Sequence, residues 1–202
     1  MRYMFNFENR EKPLRFNREK LLLAAQQNLQ QLYFMMDTQY EGIYQADARE
    51  RRRRYGKNSF KEVVEKSKYK FLPDKKILIQ HALTLLTQQK SSVFRKGMNF
   101  YTEVDYEDVV PGDVIFLSPG DIVPSDVRIV FSKDLEVDQS IYSDSRQPVR
   151  KTANYDEGKG TWEQLTNLPN ICFAGSKVTG GLARAVVVST GMATYLSHLL
   201  RM

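Results

Sequence analysis

Two Pro-Gly-Asp triplets, Pro111-Gly112-Asp113 and Pro119-Gly120-Asp121, stand on either side of the short apolar run Val114–Leu117. Proline presets φ near −65° and glycine accepts positive φ, so each Pro-Gly pair suits the centre of a type II turn. The pair of turns predicts a short strand between them. Ile122-Val123, Val127–Phe131, Leu135–Val137, Ile171–Ala174 and Ala183–Ser189 are further strand candidates. Many short strands with regular turns predict a sandwich or small barrel. Thr152–Leu168, with Gly158 and Gly160, reads as a polar loop, and Thr194–Leu200 as a closing helix.

Upstream of Tyr101 the apolar spacing is helical. Residues 1–20 are polar and charged and predict a flexible tail. Leu22, Ala25, Leu29, Leu32, Tyr33 and Met36 recur at steps of three and four, the pattern of an amphipathic helix. A second helix is expected from about Tyr44 to Tyr55, stopped by Gly56 as a left-handed cap. A linker with Lys61, Lys66, Lys68, Lys70, Lys75 and Lys76 follows. It leads into a third helix, about Lys76 to Phe94, with Ile79, Leu83, Leu86 and Val93 on one side. The expected organisation is a flexible segment at 1–20, a helical segment at 21–58, a basic linker and helix at 59–96, and a β domain at 97–202. The fold class is α+β.

Charge is uneven. Residues 1–100 hold 21 Lys or Arg against 10 Asp or Glu, and the remainder hold 9 against 14. Such an excess fits an anionic membrane surface or a solvated helix face. Arg49 and Arg51 to Arg54 lie near a helix C-terminus, where the macrodipole favours cations. No nucleic-acid motif or stacking platform accompanies them, so no nucleic-acid partner is expected. Asp105, Glu107 and Asp108 read as a solvated acidic loop. The single cysteine, Cys172, lies between Ile171 and Phe173 and reads as a buried thiol. His81 and His198 lack metal-ligand spacing, so no metal site or cofactor is expected. No apolar run reaches the roughly 20 residues of a membrane-spanning helix. No signal-peptide pattern follows Met1, and the cytoplasm is the expected location, with a peripheral position at the inner face of a membrane as its variant.

The stretch Val109–Lys151 resembles the actuator domain of P-type cation-transporting ATPases. Pro111, Gly112, Asp113, Gly120, Asp121, Pro124 and Asp126 carry the resemblance, followed by Asp138-Gln139-Ser140 and Pro148-Val149-Arg150-Lys151. Gly42-Ile43, Ala48, Arg51 and Tyr55-Gly56-Lys57-Asn58 are similar to the short N-terminal helix of such pumps, with Arg52 where a leucine is common. Asn170, Phe173, Gly175, Gly191 and Thr194-Tyr195 are similar to the bacterial magnesium-transporting type. The resemblance implies a distorted jelly-roll, barrel-like β domain with helices beside it. It also implies that the Tyr55–Asn58 segment lies against that domain, and that the third helix is the stalk helix entering it.

The family writes Thr-Gly-Glu-Ser in the loop between these flanks. There the glutamate orients and helps deprotonate the water that hydrolyses an aspartyl phosphate, the work of a carboxylate base. Here Ser143, Asp144, Ser145 and Arg146 occupy the loop. A serine hydroxyl does not titrate near neutral pH. The flanks hold the register, so Asp144 is not expected to take over. Asp144 and Arg146 are expected to offset each other's charge. The Asp-Lys-Thr-Gly-Thr phosphorylation site is absent, Asp74-Lys75-Lys76 failing at its third residue. The expectation is a freestanding, catalytically degenerate actuator-like protein without enzymatic activity. It would bind or regulate a partner, a membrane cation pump or another protein, with weak anionic-membrane contact through the basic half. The alternative is a fragment or divergent relative of a cation-transporting, magnesium-type pump.

Overall fold

A computed structural model describes residues 15–66, 75–98, 101–156 and 164–202. Helices α1 (Arg18–Gln26), α2 (Leu29–Met35), α3 (Gln45–Tyr55), α4 (Lys61–Lys66) and α5 (Lys76–Gln88) come first. Strands β1 (Lys90–Phe94), β2 (Thr102–Asp105), β3 (Val114–Leu117), β4 (Asp126–Asp138), β5 (Val149–Arg150), β6 (Ile171–Cys172) and β7 (Lys177–Ser189) follow, and α6 (Tyr195–Leu199) closes the chain. The fold is α+β. The antiparallel sheet runs β2-β1-β3-β7-β4-β5, with β6 added on β4, so it is open rather than a closed barrel. No helix among the described residues is long and apolar enough to cross a membrane.

Several elements differ from the sequence expectation. The periodic run Leu22–Met36 forms two helices because Asn28 caps α2. Its side chain accepts from the Gln31 N–H at 3.0 Å, and the Gln31 side chain returns the bond to the Asn28 N–H. That capping box outweighs continued periodicity. Residues 18–20 are already helical, while 1–14 lie outside the described residues. Gly56 ends α3 at φ 77°, with extended ψ rather than the left-handed value. The third helix stops at Gln88, and Lys90–Phe94 are a strand pairing with both β2 and β3. Two strand candidates merge into β4, kinked where Asp134 adopts φ 48°. Ile122 makes a lone bridge to Lys177. Of the polar excursion and the basic linker, residues 157–163 and 67–74 lie outside the described residues.

Helices and sheet share their cores. Leu21, Leu22, Ala24, Ala25 and Leu32 pack with Val114, Val186, Val188, Ile171 and Phe173. Ile79 and Leu86 of α5 pack with Phe60, Val63, Ile141, Leu196 and Leu200. Polar bonds complete the joint. The last carbonyls of α1, which have no intrahelical partner, accept from the sheet: Ala24 from Arg128 Nε at 3.1 Å and Ala25 from Asn170 Nδ2 at 2.9 Å. Buried Asn58 donates to the Tyr106 and Pro124 carbonyls, both at 2.9 Å, and accepts the Gly191 N–H at 2.8 Å. The Tyr55–Asn58 segment therefore lies against the β domain, as the resemblance implied.

The acidic loop is not merely solvated. Glu107 accepts from Lys57 at 3.0 Å, which holds its carboxyl below the ordinary range, and Asp108 accepts from Arg52 at 3.1 Å. Arg52 thus gains an ionic partner. Arg51 donates to the Met36 and Pro111 carbonyls at 2.8 and 2.9 Å. Two of the arginines in the basic run are therefore structural.

Both Pro-Gly-Asp turns close as predicted. Asp113 N–H donates to the Val110 carbonyl and Asp121 N–H to the Ser118 carbonyl, each at 3.1 Å. Each aspartate also accepts the first N–H of its own turn, Val110 at 3.0 Å and Ser118 at 2.8 Å. Gly112 has φ 90° and Gly120 φ 100°. A Cβ at Gly120 would meet open space, whereas one at Gly112 would collide with the Arg51 guanidinium and stand 3.0 Å from the Met36 carbonyl oxygen. Gly120→Ala is therefore expected to cost about 1 kcal/mol from backbone strain alone, and Gly112→Ala roughly 2–3 kcal/mol. Urea unfolding of the two variants checks the order; equal losses would refute the close approach of α3 to the first turn.

Candidate functional site

The 139–148 loop leaves β4 at Asp138 and returns as β5, whose Val149 and Arg150 pair with Val137 and Glu136. Its start is tightly made. Asp138 Oδ1 accepts the Ser140 N–H at 2.8 Å, and Tyr142 N–H donates to the Gln139 carbonyl at 2.8 Å. Ile141 is buried among α5 and α6. The Tyr142 ring lies 5.4 Å from Phe173 and 5.6 Å from Tyr195, and its hydroxyl donates to the Ala174 carbonyl. Burial, with help from Asp126 and Tyr195, raises that phenol well above its usual range. The base of the loop is thus held by packing, while Asp144, Ser145, Arg146, Gln147 and Pro148 are exposed.

Within the tip the bonds are short-range. Ser143 Oγ donates to the Ser145 carbonyl at 3.2 Å, and Ser145 Oγ accepts the Gln147 N–H at 3.1 Å. Asp144 does not offset Arg146 as expected. Its carboxylate lies 3.2 Å from the Lys75 ammonium at the start of α5. Lys75 also donates to the Ser140 and Ser143 carbonyls, at 3.0 and 2.6 Å. Chemically, the loop offers a serine hydroxyl already bonded to backbone, a carboxylate tied to an ammonium, and an exposed guanidinium.

Other residues of the motifs are held within the scaffold. Pro124 O receives Asn58; Gly175 N–H donates to the Val123 carbonyl at 2.8 Å. Lys151 is buried, donating to the Thr166 and Leu168 carbonyls at 3.0 and 2.8 Å, and burial lowers its ammonium to about 8. Cys172 is fully buried, and burial pushes its thiol up to about 11. His81 is exposed on α5, whereas His198 stacks on Phe16 at 5.0 Å. Asp126 accepts the N–H groups of Ala174 at 3.1 Å and Tyr195 at 2.6 Å, fastening β6 and the start of α6. Burial outweighs those two bonds and raises its carboxyl to about 7.

Sequence spacing brought Asp138, Ser140 and Pro148 to one loop. It did not single out Lys75 or Tyr142 as parts of the same site. Lys75 is one of several linker lysines, and only the approach of α5 to the loop distinguishes it.

Residues 85–202 match the model of the P-type ATPase actuator domain, and residues 24–74 match the cation transporter/ATPase N-terminus. A magnesium-transporting ATPase, P-type 1, of Salmonella typhimurium is 35% identical over 126 residues, covering 58% of this chain and 13% of the relative. Its Escherichia coli counterpart is 33% identical over 122 residues, again 58% and 13%. The human calcium-transporting ATPase type 2C member 2 is 38% identical over 120 residues, 59% and 12%. The matched stretch thus spans about an eighth of the length of these relatives. A crystal structure of a zinc-transporting PIB-type ATPase in the E2.Pi state overlaps 63% of this chain and 19% of its own, with a TM-score of 0.44 and 20% identity.

Asp126 makes stability depend on pH. Its folded value, about 7, lies above the roughly 3.9 of an unfolded aspartate, so its contribution is complete below the unfolded value and lost as pH rises through the folded one. Between pH 5 and pH 8 the wild type should lose about 2 kcal/mol relative to Asp126→Asn. Urea titrations of both proteins at the two pH values check this; parallel curves would refute a protonated buried Asp126.

Proposed function

Since the chain belongs to the P-type ATPase actuator-domain family, we propose that it works as a catalytically silent actuator module that binds and regulates a cation pump. One observation carries this reading. The loop position of the family's glutamate is held by Ser145, whose hydroxyl accepts the Gln147 N–H. Without a carboxylate there, the loop lacks a group to deprotonate an attacking water. Asp144 is a poor substitute, since its charge is engaged by Lys75 on the α5 side. The similarity to magnesium-transporting pumps makes a pump of that kind the first partner to test. Such a module would act on the cytoplasmic side.

The tests are enzymatic. Purified chain with ATP, acetyl phosphate or p-nitrophenyl phosphate and magnesium should show no turnover above its Ser145→Ala variant. Added to a purified magnesium-transporting P-type ATPase, it should change the rate at which the pump's aspartyl phosphate decays. Turnover abolished by Asp144→Asn would overturn the silent reading, and an unchanged decay rate would overturn the regulatory one.

A second reading has its own support. The match spans about an eighth of each relative, as it would for the actuator part of a larger cation-transporting pump. An immunoblot of the source cells separates the two: a band near 23.5 kDa supports the freestanding module, and a band of pump size supports the alternative.

A weak contact with an anionic membrane surface is proposed for the basic half. Arg51 and Arg52 are engaged within the fold, leaving exposed Arg49 and Arg53 among the cations available to lipid. Co-sedimentation with vesicles of anionic lipid should be weak at low salt and vanish at high salt, because screening acts within about 8 Å at physiological ionic strength. Binding to neutral vesicles that survives high salt would contradict an electrostatic contact.

A further inference from the structure

We propose that Lys75 is the positioning residue of the 140–146 loop, a latch joining the start of α5 to the loop tip through one ammonium group. An ammonium has three N–H donors and no acceptor. Here it meets three acceptors from one loop: the Ser140 carbonyl at 3.0 Å, the Ser143 carbonyl at 2.6 Å and Asp144 Oδ1 at 3.2 Å. This differs from an ordinary surface ion pair, which contributes little. Two of the three bonds go to backbone, and the Lys75 side chain is only 18% exposed although Asp144 is fully exposed.

Both ends of the latch are fixed. Ile79 and Leu86 anchor α5 in the core that also holds Ile141, and Tyr142 is clamped by Phe173 and Tyr195. Between Tyr142 and β5, the loop's own bonds span two residues each. Lys75 reaches the same loop from 65 and 68 residues away. The loop tip therefore takes its conformation from the position of α5. Removing the ammonium charge, as lysine acetylation does, leaves at most one donor and releases the tip. Displacing the start of α5 has the same effect. The inference concerns the loop of the isolated chain and holds whether or not that loop docks on a pump.

Hydrogen exchange of the Gln147 amide, whose N–H is held by Ser145 Oγ, and tryptic cleavage after Arg146 read the latch directly. In Lys75→Gln and Lys75→Met both rates should rise about tenfold, while Lys75→Arg stays within about threefold of wild type. Melting temperatures should stay close to wild type, separating local release from unfolding. Unchanged loop exchange in the Gln and Met variants overturns the latch. A measurement on the native chain guards against variants that fail to fold. Under limiting acetic anhydride, Lys75 should react about tenfold more slowly than Lys90, whose side chain is 59% exposed. Equal labelling of Lys75 and Lys90 overturns the proposal.

Discussion

The burial of Asp113 organises the molecule. An ionised carboxylate removed from water needs a counter-charge and hydrogen bonds, or its desolvation is left uncompensated. Asp113 is fully buried at the end of the first Pro-Gly-Asp turn, and Arg95 meets it with two parallel bonds of 2.9 and 2.8 Å. The same guanidinium bonds Gln45 of α3 at 2.8 Å and the Asp108 carbonyl at 3.1 Å. Around it, the turn exchanges backbone bonds with Val187 of β7, accepts Arg51 of α3 on Pro111, and accepts the Thr38 hydroxyl on Gly112 at 2.6 Å. One turn of four residues thus fixes β1, β3, β7 and α3 relative to each other.

That hub explains why helices and sheet form a continuous body. The N-terminal helices are short and carry few buried side chains of their own, too little to stand alone in water. Their apolar faces close over the sheet, and their loose carbonyls are met by Arg128 and Asn170. Among the described residues, two buried cations meet backbone instead of a carboxylate: Arg128 bonds the carbonyls of Ala24, Ile129 and Ala153, and Lys151 those of Thr166 and Leu168. Each satisfies backbone acceptors that neither helix nor ladder can reach. Arg184 is used differently, lying 3.9 Å from the Tyr40 ring centroid and 5.0 Å from that of Phe94. A guanidinium over ring faces joins the α2–α3 connection to the sheet.

The loop shows the same division between a rigid base and an adaptable tip. Ile141 and Tyr142 are locked by packing, whereas residues 144–146 are exposed. Fold and chemistry rest on different residues, and the side chains at 144–148 are exposed rather than part of a core.

The sequence by itself determined the local geometry. Proline and glycine restrict φ within a few residues, so both Pro-Gly-Asp turns, strand β3 and the α3 boundary were legible. The capping box at Asn28 was legible in principle, since Asn28 and Gln31 stand at the right spacing, but the apolar period masked it. Tertiary structure alone decided that Lys90–Phe94 leave helical order for the sheet, because Val93 finds buried partners such as Ile115 only there. It also decided that Asp144 turns to Lys75 instead of Arg146, and that Glu107 and Asp108 receive Lys57 and Arg52. Those pairings join residues tens of positions apart. A charge is attracted by whatever the fold brings within a few ångströms, and chain separation carries no information about that distance.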